Sequence, residues 1–78
     1  MSYELQKKVK DVTEKAFDLF NSDLEAVKYI RSTFEEYFKN SVWHCFIGRN
    51  FALNVTSESG YFIYFYIGAK AVALFKSS

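Results

Sequence analysis

Proline is missing from all 78 residues, and cysteine and histidine occur once each. Without proline, no strand edge here can be guarded by one. A single thiol rules out an internal disulfide and points to a reducing compartment. One His, one Cys and no carboxylates at ligand spacing leave a metal ion such as zinc without a ligand set. An excess of either charge is also lacking: the net is +1, so no basic surplus speaks for nucleic acid. No apolar run approaches about 18 residues and no basic-plus-apolar leader opens the chain, so neither a membrane span nor a signal segment is expected. Glycine-rich phosphate loops, calcium loops and metalloprotease motifs are absent as well. These absences predict a soluble, intracellular protein with no cofactor.

What the chain does have is large apolar side chains. Half the residues are hydrophobic and 21% are aromatic, with nine Phe and six Tyr. One domain spanning residues 1–78 is the count this length suggests. So short a chain buries only a modest part of its surface, and its own core would be small. The mismatch points to a partner or a bound ligand.

Residues 3 to 20 carry a helical stripe of Leu5, Val9, Val12, Ala16 and Leu19, widened by Phe17 and Phe20. Ser22 followed by Glu25 has the spacing of a capping box, so a second helix is expected over 23 to 39. Leu24, Val27, Ile30, Phe34, Tyr37 and Phe38 form its stripe. A connection of about three residues predicts that the two helices lie antiparallel. From residue 42 the pattern turns extended. Strands are expected at 42–47, 51–56, 61–67 and 71–76, separated by "GRN", "SESG" and "GAK". Helices first and strands after predict an α+β fold with a mostly antiparallel four-stranded sheet.

The strand "YFIYFYI" has no polar side. Tyr61, Ile63, Phe65 and Ile67 point one way, and Phe62, Tyr64 and Tyr66 the other. Two helices can cover one face of the sheet, and nothing else in the chain remains for the second. The missing cover is most simply another copy, which predicts a homodimer built through the sheet. The segment "FALNVT" carries no charge, bulge or proline, so its edge is open to strand addition.

His44 and Cys45 are the one tempting catalytic pair, but neighbours on a strand face opposite sides, so the imidazole cannot readily activate the thiol. No enzyme is expected. His44 has a better use at a subunit contact, where protonation would place like charges against each other in the range near pH 6.5 where histidine ordinarily titrates. A satisfied histidine with no such role is the plain alternative. Aromatics on a sheet can also stack nucleic-acid bases, but here they lack accompanying positive charge, and core packing explains them.

The blocks "WHC", "GRNF", "FIYFY" and the closing "LFK" run in order from Trp43 to Lys76. In them the chain resembles the eight-kilodalton cytoplasmic dynein light chain family. Ala16, Asn21, Ile30 and Phe34 fit more loosely, and the family's short strand before the first helix has no counterpart. The resemblance implies a strand-exchanged homodimer whose strand 51–56 crosses to the partner's sheet. It also implies two grooves that each accept an extended client segment by β-augmentation. On this basis the groove comprises Asp23, the strand residues Phe51, Ala52, Leu53, Asn54, Val55 and Thr56, and the wall residues Phe62, Tyr64, Tyr66, Ala71 and Ala73. Asp23 matches an acidic position that helps read a client's central glutamine. His44, Asn54 and Thr56 fall at the dimer interface. Clients would be short linear peptide segments, the dynein intermediate chain among them, in a cytoskeletal setting without nucleic acid or membrane.

The chain departs from the family at the residues that read side chains. Leu24 replaces a lysine beside the acidic position, Leu53 and Asn54 replace a serine and a tyrosine, Ala52 a glycine, and Ala73 a larger aliphatic residue. Main-chain pairing needs no particular side chain, whereas recognition of the usual glutamine-containing motif does. A second reading follows: a structural dimerisation domain with a degenerate groove, of the kind fused behind EF-hand modules in parasite tegument proteins.

Overall fold

The computed structural model describes residues 2–49 and 61–77. Two helices, α1 (Tyr3–Leu19) and α2 (Asp23–Tyr37), precede three strands, β1 (Val42–Gly48), β2 (Phe62–Ile67) and β3 (Lys70–Ser77). The strand expected over 51–56 lies outside the described residues.

Both helices begin where their sequence provides a cap. Ser2 Oγ accepts from the Leu5 N–H at 3.2 Å, and Ser22 Oγ from the Glu25 N–H at 3.5 Å. Each satisfies a backbone donor that the first helical turn leaves unpaired. Glu4 in α1, and Asp23 and Glu25 in α2, place negative charge at the positive end of the helix dipole. Past α2, Asn40 takes φ 65°, a left-handed conformation that asparagine tolerates better than most residues.

β3 is central, and both neighbours run antiparallel to it in the order β1-β3-β2. β2 and β3 form a hairpin closed by two residues, the first being Gly68 at φ 60°. A Cβ there would meet nothing within 4 Å, so backbone conformation rather than space calls for glycine.

The register sorts the sheet into two faces. On one, the rungs Cys45–Leu74–Ile63 and Ile47–Val72–Phe65 face the helices, and Trp43 lies beyond them. They join Val9 and Ala16 of α1 and Ala26, Ile30 and Phe34 of α2 in one core. Trp43 is fully buried, with its ring 5.4 Å from Phe34 and 5.5 Å from Phe38 between centroids. Thr13 is the one buried polar residue among those described, and its hydroxyl donates to the Val9 carbonyl at 2.7 Å. That bond satisfies the hydroxyl at little cost to the helix.

α2 also holds β1 by its backbone. Arg31 Nε donates to the Trp43 carbonyl at 3.1 Å, and the Trp43 N–H donates to Glu35 Oε2 at 3.4 Å. Both side chains reach the strand from the side away from β3.

Candidate functional site

Three rungs make up the second face of the sheet: His44–Phe75–Phe62, Phe46–Ala73–Tyr64 and Gly48–Ala71–Tyr66. Period-two alternation puts these side chains opposite the core. Val42, Phe46, Phe62, Tyr64 and Tyr66 are all exposed there, Tyr66 by 57%. A contiguous aromatic face of this kind on a small chain marks an interaction surface.

Phe75 is the hub of this face. Its ring stacks against His44 at 5.1 Å, Phe62 at 5.9 Å and Phe46 at 6.0 Å between centroids, leaving it 5% exposed. Phe75 is not among the residues expected from the sequence to line the groove. The signal was present, because Phe75 continues the alternation of Ala71 and Ala73 along β3. The His44 Nε2 lies 3.1 Å from Ser77 Oγ. Tyr64 and Tyr66 meet edge to face at 5.9 Å, and their hydroxyl contact, followed by slight burial, pushes the Tyr64 phenol above its usual range.

Of the residues expected to line a groove, Phe62, Tyr64, Tyr66, Ala71 and Ala73 share these rungs, with both alanines fully buried. His44 lies on the same face. Phe51, Ala52, Leu53, Asn54, Val55 and Thr56 lie outside the described residues. Asp23 is elsewhere, at the first position of α2, where its carboxylate accepts from the Lys70 ammonium. Leu24 beside it is 63% exposed and packs in no core.

The outer edge of β1 carries no described strand. At Trp43 the edge groups are taken by Arg31 and Glu35. Since backbone direction alternates along an antiparallel strand, Cys45 and Ile47 turn their N–H and C=O groups to the same open edge. Among the described residues, no strand pairs with that edge from Cys45 onward.

Cys45 itself points into the core. Burial pushes its thiol up to about 12 despite the opposing pull of Arg31, so the nucleophilic thiolate is suppressed. His44 and Cys45 thus stand on opposite faces, and no triad can be built from them. Among the described residues, no group of three His, Cys, Asp or Glu side chains could hold a metal ion, and no helix is long and apolar enough to cross a membrane. A cleft of about 420 Å³ lies between the start of α1, the end of α2 and Tyr61. None of the expected groove residues among those described lines it.

Among the described residues, helices cover one side of the sheet and aromatic side chains are exposed on the other, beside a β1 edge that pairs with no described strand. The family model of dynein light chain type 1 matches residues 1–77, and the chain belongs to the dynein light chain family. Members of that family are generally non-enzymatic, dimeric adaptors that bind dynein subunits and peptide partners.

Proposed function

We propose that this chain is a dimeric hub that grips extended segments of client proteins by strand addition. The carrying observation is the pairing of an aromatic sheet face with an open β1 edge from Cys45 to Ile47. A second copy laid on the face buries its rings. Its residues 51–56 join the β1 edge and offer their own outer edge, lined by Phe51 to Thr56, to a client. The walls are Phe62, Tyr64, Tyr66, Ala71 and Ala73. Backbone hydrogen bonds supply affinity and side-chain pockets set register. Two grooves per dimer hold two client chains at once, raising effective concentration. His44, Asn54 and Thr56 lie at the subunit contact, and acid weakens it through His44. The dynein intermediate chain is one client of the right kind, which places the work at the cytoskeleton.

The test is calorimetric titration with extended peptides of about ten residues, the length a strand-addition groove spans. Saturation at one peptide per chain is the expected result. A dimer that binds no peptide supports the second reading, a pairing domain with a degenerate groove inside a larger tegument-type protein. The exposed Leu24, standing where the family carries a lysine, is the observation that favours it.

A further inference from the structure

The cleft of about 420 Å³ between the start of α1, the end of α2 and Tyr61 is walled by three aromatic rings. Tyr37 and Phe38 meet edge to face with centroids 4.7 Å apart, and Phe38 meets Tyr61 in the same way at 5.7 Å. Leu5 of α1 adds an apolar side chain to the lining. Lys8, about one turn further along α1, brings its ammonium to 4.7 Å from the Tyr37 ring centroid. The volume falls at the lower end of what small-molecule sites occupy.

Charge in this cleft is unbalanced. Lys8 is half-buried, and no ion pair among the described residues involves it. A ring face attracts an ammonium, but a carboxylate at hydrogen-bond distance binds it more strongly. Glu4 lines the cleft too, yet it is exposed and forms no ion pair with Lys8. A second ammonium, that of Lys76, lies 4.4 Å from the Tyr61 ring centroid. An aromatic box alone would suit a cation. Here the Tyr37 and Tyr61 rings each already carry one of the chain's own lysines.

We infer that this cleft is a binding site for a small aromatic carboxylate, whose ring packs among Tyr37, Phe38 and Tyr61 while its carboxylate accepts from the Lys8 ammonium. Both halves are required. A carboxylate without a ring leaves the aromatic walls uncovered, and a ring bearing an amine meets Lys8 as a like charge. The site is separate from the client groove, and neither reading depends on the other.

Titration with phenylacetate, followed by amide correlation NMR spectra, tests the assignment. Phenethylamine, a ring with the opposite charge, and acetate, a carboxylate with no ring, are the controls. Phenylacetate should shift the amides of Leu5, Lys8 and Phe38 and saturate with a Kd of about 1 mM, the scale that about ten non-hydrogen atoms support. Neither control should saturate below about 20 mM. Lys8→Met should weaken phenylacetate about tenfold, the scale of a hydrogen bond to a charged group, while Lys8→Arg keeps most of the affinity. Glu4→Gln should tighten it, since a competing negative charge is removed. The assignment is overturned if phenylacetate shifts none of these amides, shifts those of the aromatic sheet face instead, binds no better than phenethylamine, or binds Lys8→Met as well as wild type.

Discussion

His44 stacks on Phe75 with ring centroids 5.1 Å apart, on the sheet face opposite the helices. The imidazole therefore lies on the surface on which two copies are proposed to meet. In the proposed subunit contact an imidazolium would cost desolvation, so the proposal expects protons to favour the separated chains. The expected outcome is a dimer affinity that falls as pH falls. Sedimentation velocity at pH 7.5 and pH 5 should show dimer giving way to single chains. His44→Lys should be monomeric at both pH values, and a His44→Lys protein as dimeric as wild type refutes the interface role.

Cys45 offers a second pH effect with a different origin. Its thiol is raised to about 12 by burial in the core. The unfolded thiol ionises near its ordinary value, so the folded state is favoured fully below that value and loses this contribution as pH climbs toward 12. At pH 8 a thiol reagent should modify the native protein far more slowly than the protein in denaturant. Equal rates would show that the thiol is exposed.

Trp43 is the only tryptophan, and its buried indole N–H has no hydrogen-bond partner among the described residues. Phe34 and Phe38 enclose the ring. Trp43→Ala should cost about 3–5 kcal/mol, enough to unfold much of a chain this small. Trp43→Phe keeps most of the packing and removes the unpaired donor, so it should cost far less. Urea melts followed by circular dichroism compare the two.

Arg31 and Glu35 hold the Trp43 backbone at the β1 edge. Both side chains are partly exposed and lie 3.9 Å apart, so their mutual ion pair contributes little. The backbone contacts matter more, and Glu35→Ala or Arg31→Ala should each cost about 1 kcal/mol. The same melts check this.

The sequence showed the α+β order and the two-sided character of 61–67, because alternation in a strand is a local property. Ile63 is buried and Phe62, Tyr64 and Tyr66 are exposed, as that alternation implies. Ser22 could likewise be read as the start of a helix from its own neighbours. Contacts set by tertiary approach were not legible. Nothing local connects Lys70 to Asp23, or Arg31 to the Trp43 carbonyl, since each depends on how the helices pack over the sheet. Phe75 shares the phase of Ala71 and Ala73, which places it on their face, although the apolar middle of β3 offers no polar contrast to single it out. The strand expected at 51–56, which carries half of the expected groove, lies outside the described residues.

The proposed hub requires a second molecule to cover the rings of Phe62, Tyr64 and Tyr66. Sedimentation equilibrium at neutral pH over a range of concentrations measures that directly. A mass of two chains is the expected result, and a folded species that keeps the mass of one chain at the highest concentration contradicts it.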